Sequence, residues 1–195
     1  MSAKFLRSAL AFLLVFIFTA CSWFQSVPEP SQADMDKEEQ AVFSVFMPEG
    51  PGPALILKTT STNIGGQEPR EIRAHIKNSF EGVPNDLVEN YLDRNAQPSQ
   101  LSPDMDLGMD YVLMDSEELA KITRQPNWNQ DLIEKYPGSN GYLIFSHVGF
   151  NRSLDQAVIY VGNVAGPLMG SGSYYLLEKQ NGTWTIKEET MVWIS

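Results

Sequence analysis

Residues 141–195 read GYLIFSHVGF NRSLDQAVIY VGNVAGPLMG SGSYYLLEKQ NGTWTIKEET MVWIS, and this stretch decides the fold. Four apolar segments stand out: Gly141 to Phe150, Gln156 to Asn163, Ser171 to Lys179 and Trp184 to Ile194. Each is rich in aromatic and β-branched residues and bounded by turn formers, the pattern of strands. Asn181-Gly182 is the strongest turn signal, because a two-residue hairpin of type I′ needs positive φ at both central positions. The connections are short, which favours an antiparallel meander. Leu143-Ile144-Phe145 and Val158-Ile159-Tyr160-Val161 are continuous rather than alternating. Such runs belong to strands covered on both faces. The segment from Gly162 to Gly172 is read as a long glycine-rich connection, with Leu168 and Met169 exposed at its tip as a possible partner contact.

Upstream of this sheet the chain reads as helices. Acidic residues precede apolar ones between Met35 and Phe46, which suits a helix start. Leu87, Val88, Tyr91 and Leu92 follow Val83-Pro84 on one face of a 3.6-residue period. Asp115 with Glu118 three residues on has the look of an N-terminal box. Trp128, Leu132 and Tyr136 lie four apart. Ala54 to Thr60 and Tyr111 to Met114 read as short strands, and Asn63 to Arg70 as a loop. Helices first and a sheet afterwards is an α+β order. The expectation is N-terminal helices packed on a C-terminal four- to five-stranded antiparallel meander, forming one globular domain over residues 35–195.

The last third also resembles a group of uncharacterised exported bacterial proteins. The residues that carry the resemblance are Glu134-Lys135-Tyr136-Pro137-Gly138-Ser139, Ser146-His147-Val148-Gly149-Phe150-Asn151, Gln156 to Val161, Gly170 to Lys179, Trp184-Thr185-Ile186 and Trp193-Ile194-Ser195. The group has Arg where His147 stands. The resemblance implies a shared sheet and no catalytic residues.

The N-terminus carries a different message. Lys4 and Arg7 flank a run, Ala9 to Phe18, in which every residue is apolar. A membrane-spanning helix needs about 20 apolar residues, whereas a signal-peptide core needs about 7–15. Phe18-Thr19-Ala20-Cys21 resembles the lipobox of bacterial lipoproteins, with Phe18 in place of the usual Leu. The resemblance implies a signal peptide over residues 1–20 and cleavage before Cys21. It also implies diacylglyceryl transfer to the Cys21 thiol and a tether over residues 21–34, rich in Pro and small polar residues. Two acyl chains suffice for stable anchoring. Ser22 after the lipidated Cys favours the periplasmic face of the outer membrane in a Gram-negative envelope. Cys21 is the single Cys, so no disulfide forms within the chain.

Without residues 1–20 the net charge is 12 − 24 = −12, which argues against nucleic acid as a partner. Candidate chemistry is sparse. Ser146 and His147 are adjacent, so on a strand they point to opposite faces and do not pair. His75 is the other histidine. Asp104, Asp106 and Asp110 alternate around Gly108 without completing a calcium loop. Two histidines and one cysteine do not make a zinc site, and the glycine-rich segment lacks the Lys-Ser/Thr of a phosphate loop. The sequence is therefore read as having no metal, cofactor or catalytic residues. The expectation is a lipid-anchored binding or scaffolding domain of the cell envelope, contacting the membrane through Cys21 and an envelope protein through Leu168 and Met169. The alternative is an envelope hydrolase or a small-ligand-binding domain.

Overall fold

The structure, a computed structural model, describes residues 28–61 and 67–195. Cys21 and its leader lie outside them. Five helices and seven strands follow in the order α1 (Gln32–Ser44), β1 (Ala54–Leu57), α2 (Pro69–Ser79), α3 (Asn85–Arg94), β2 (Tyr111–Met114), α4 (Ser116–Thr123), α5 (Trp128–Lys135), β3 (Tyr142–Phe145), β4 (Gly149–Phe150), β5 (Gln156–Gly166), β6 (Met169–Gln180) and β7 (Thr183–Ile194).

The sheet corrects the expected all-antiparallel meander. Its order is β2-β1-β3-β5-β6-β7, with β4 also paired to β5. β1 runs parallel to β2 and to β3, while β3, β4, β5, β6 and β7 pair antiparallel. The sheet is mixed and seven-stranded. The physical reason lies in the connections. The chain between β1 and β2 is long and carries α2 and α3, enough for a crossover, and parallel pairing needs a crossover rather than a hairpin. Ala54-Leu55-Ile56-Leu57 and Tyr111-Val112-Leu113-Met114 show no polar alternation, as expected of parallel strands between two layers.

The period of two along the strands assigns side chains to the two faces. Ala54, Ile56, Ala157, Ile159 and Val161 face α1, where Val42 and Phe43 pack, with Phe43 stacked on Phe145 at 4.6 Å between ring centroids. Val158 and Tyr160 face α2 and α3, against Ile72, Ile76, Leu87, Val88 and Tyr91. Leu55 and Met114 meet Trp128 and Leu132 of α5 and Leu119 of α4. Helices thus cover both faces, in keeping with the continuous apolar runs.

Two elements differ from their sequence reading. α1 begins at Gln32, inside the expected tether, because Ser31 and Asp34 form a reciprocal capping box. α2 was not read at all, although Ile72, Ile76 and Phe80 lie four apart and are buried. Asn181 (φ 52°) and Gly182 (φ 84°) both take the positive φ that the hairpin reading requires. The glycine-rich connection is mostly strand. β5 continues to Gly166 and β6 starts at Met169, leaving only a tight tip.

Candidate functional site

The site grows from a break in one strand. β3 and β4 both lie along β5, and Ser146, His147 and Val148 separate them. An interrupted edge leaves backbone N–H groups without ladder partners, and buried donors must find others. Side chains of α1 and α3 supply them. Asn95 Oδ1 accepts from the His147 N–H at 2.8 Å, and Glu39 Oε1 from the Val148 N–H at 2.8 Å. Asn90 Oδ1 accepts from the Phe150 N–H at 2.8 Å, and Asp86 Oδ2 from the Arg152 N–H at 3.0 Å. Asp86, Asn90 and Asn95 lie along one side of α3, so the helix acts as a surrogate strand for this edge.

The break turns Ser146 inward and His147 outward. Ser146 is fully buried; its Oγ accepts from the Tyr160 N–H and donates to the His147 carbonyl. It does not pair with His75, which packs beside Tyr174 with its Nε2 3.5 Å from Thr190 Oγ1. Ser146→Ala leaves the buried Tyr160 N–H without its acceptor, while the His147 carbonyl keeps Asn95. We expect a loss of about 1–3 kcal/mol, read as a lower urea midpoint at unchanged m-value.

His147 sits in a row of four polar residues. Its Nδ1 lies 3.0 Å from Glu39 Oε1, and its Nε2 lies 2.5 Å from Ser99 Oγ. Arg94 Nη2 reaches the same Glu39 oxygen at 3.0 Å. Glu39 and Arg94 side chains are 10% and 9% exposed, so this is an ion pair held almost out of water. Burial pushes the Glu39 carboxyl pKa up. The hydrogen bond and charge of His147, the charge of Arg94 and the Val148 N–H outweigh burial and hold it below its ordinary value. Ser99 is exposed but pinned: its N–H donates to Thr60 Oγ1 at 3.0 Å, and its carbonyl accepts from the Thr60 N–H at 2.9 Å. Beside His147 opens a cleft of about 300 Å³ lined by Asp36, Gln40, Phe43, Leu101 and Met105.

The other sequence candidates are placed as follows. Leu168 is 81% and Met169 62% exposed at the β5–β6 tip, and Ile194 of β7, 72% exposed, ends beside them opposite Ser171. Asp104, Asp106 and Asp110 do not converge; among the described residues no three potential ligand side chains gather. Trp184 is core, with its Nε1 donating to Glu38 at 2.8 Å. The sequence reading missed Glu39, Arg94 and Ser99. They come from a helix, a second helix end and a loop, and no local spacing links them.

No protein-family model matches the chain, and no curated protein or solved structure is detectably similar to it. What the site can do follows from its geometry alone.

Proposed function

We propose that this protein is a lipid-anchored binding domain of the cell envelope that presents the β5–β6 tip to a partner protein. The observation that carries the reading is the placement of the tip. Glu29 and Pro30, among the first described residues, line a small cavity with Asn151 and Arg152, at the turn that leads into β5. The tip lies at the other end of β5. Eleven strand residues at about 3.3 Å each separate the two by roughly 35 Å. Leu168, Met169 and Ile194 therefore lie at the opposite end of β5 from Glu29 and Pro30. From Gln156 to Leu177 the sequence carries no Asp, Glu, Lys or Arg. An apolar, uncharged tip on a protein this acidic is suited to a protein surface.

Two measurements test this. Cys21→Ser should accumulate uncleaved precursor and lose fatty-acid labelling; normal maturation would remove the anchor from the reading. A photo-crosslinking residue at position 168 should give one discrete adduct in intact cells. Met169→Asp with Ile194→Asp should abolish it without lowering Tm. A smear of adducts, or none, counts against a specific partner.

A further inference from the structure

We infer that Ser99 is an activated nucleophile, with His147 as its general base and Glu39 as the residue that orients the base. This goes beyond the binding reading and stands on separate residues. The order Glu39 Oε1, His147 Nδ1, His147 Nε2, Ser99 Oγ is continuous at 3.0 Å and 2.5 Å. A nucleophile and base within hydrogen-bond reach, with a third group holding the base, is the arrangement on which serine acyl transfer rests.

The direction of the proton is set by the neighbours. The Val148 N–H donates to Glu39 Oε1, and so does the guanidinium of Arg94, which has no acceptor to offer. An ionised carboxylate between these donors accepts from His147 as well, so Nδ1 carries the hydrogen. In the neutral ring Nε2 then holds the lone pair, and it is Nε2 that faces Ser99. Asn95 holds the backbone of His147 from both sides, accepting from its N–H and donating to its carbonyl at 2.9 Å. Thr60 holds Ser99 in the same way. The backbones of His147 and Ser99 are thus each held by a neighbouring side chain, and Glu39 orients the His147 ring.

The residue after the nucleophile supplies a donor. Thr59 and Gln100 form an antiparallel bridge whose bonds are Thr60 N–H to Ser99 O and Leu101 N–H to Lys58 O. The Gln100 N–H therefore points away from that bridge, and among the described residues it donates to no acceptor. It is left able to donate to an oxyanion formed at Ser99. The adjoining cleft is mixed, with Phe43, Leu101 and Met105 in its wall beside the uncharged polar Gln40, Gln100 and Ser102, and it is acidic at Asp36. That lining fits a short, uncharged carboxylic ester and repels an anionic one.

The reaction balances with water as the only co-reactant. Ser99 Oγ forms a bond to the ester carbonyl carbon as its proton passes to His147 Nε2. The carbon–alkoxide bond breaks, and His147 returns the proton to the departing alcohol. Water, losing a proton to His147, attacks the acyl-serine; the carbon–Oγ bond breaks and Ser99 regains its proton.

A fluorophosphonate probe tests this on the full-length protein, because the same serine attacks phosphorus and expels fluoride. The expected result is one phosphonyl adduct per chain, mapped to Ser99 by peptide mass spectrometry and absent in Ser99→Ala. His147→Arg places a guanidinium donor against Glu39 but offers no base. It should keep the wild-type Tm and label at least ~100-fold more slowly. His147→Gln, which also lacks the base, gives the same readout should the arginine disturb the fold. No adduct at Ser99 in folded wild-type protein overturns the inference. So does labelling of Ser99 at an undiminished rate in a folded His147 variant.

Discussion

Replacing Glu39 by Gln is expected to lower stability by about 3–5 kcal/mol, the cost of removing one partner of a buried ion pair. For a chain of this length that corresponds to a fall in Tm of roughly 6–20 °C, measurable by circular dichroism. Four losses coincide. Arg94 keeps a positive charge at a site where its side chain is 9% exposed. His147 Nδ1 and the Val148 N–H each exchange a charged acceptor for the neutral oxygen of an amide. The link of α1 to the β3–β4 break is also weakened, and Glu38 carries more of its polar attachment to the sheet, through Lys179 at 2.6 Å and Trp184 at 2.8 Å. Asp36 does not replace Glu39. It stands 3.9 Å from Arg94 and is 54% exposed, so Asp36→Asn should cost less than ~1 kcal/mol. The pH dependence has a definite sign. The folded carboxyl lies below its ordinary value of 4.5. Its contribution is therefore complete above that unfolded value and is lost as pH falls through the lower, folded one. Wild-type stability should drop below about pH 4.5, and the drop should be shallower in Glu39→Gln, which has no carboxyl to protonate there. Equal slopes in the two proteins would place the acid sensitivity elsewhere.

The same residues explain what the sequence could and could not reveal. The strands β5, β6 and β7 were legible because their evidence is local: apolar runs, Asn181-Gly182 and short connections. The mixed sheet was not legible, because the partners of β1 are decided by a crossover through α2 and α3 and not by the residues of β1. Even there a hint existed: Ala54-Leu55-Ile56-Leu57 lacks the alternation of a half-exposed strand. α2 carried a readable period in Ile72, Ile76 and Phe80, and a start signal in Pro69. The triad-like row lay beyond sequence reasoning of this kind. Glu39 reads as one acid of a helix, Ser99 as one polar residue after another helix, and His147 as one residue of a strand. They meet because the strand breaks between Phe145 and Gly149, and nothing in Ser146-His147-Val148 announces a break. Ser146 and His147 do point apart, but the two lie in the break and not in a strand: Ser146 Oγ bonds backbone inside, while the His147 ring reaches Glu39 and Ser99.

That break makes the second large effect predictable. Gly149→Ala is expected to leave little or no folded protein. A Cβ at position 149 would stand 2.5 Å from Tyr91 Cα and 2.7 Å from Tyr91 N. These are backbone atoms in the middle of α3, so no rotamer change relieves the clash; the helix itself must lift. Overpacking by a methyl group against side chains costs about 1–3 kcal/mol, and moving a helix backbone costs more, because every contact of that helix is strained together. α3 and its C-cap carry two sets of them at once: the acceptors Asp86, Asn90 and Asn95 that satisfy the N–H groups of Arg152, Phe150 and His147, and the buried Leu87, Val88 and Tyr91. Lifting it by even an ångström stretches hydrogen bonds that now measure 2.8 Å at His147 and Phe150. The comparison that isolates sterics from backbone conformation is Gly182→Ala. Gly182 has φ 84° and nothing within 4 Å of an added Cβ, so it should cost only the left-handed penalty, about 1–2 kcal/mol. Urea melts of the two variants separate the cases. If Gly149→Ala proved no more costly than Gly182→Ala, α3 would not be seated on β4 as described. The His147–Ser99 alignment, which depends on Asn95 at the end of that helix, would then lose its support.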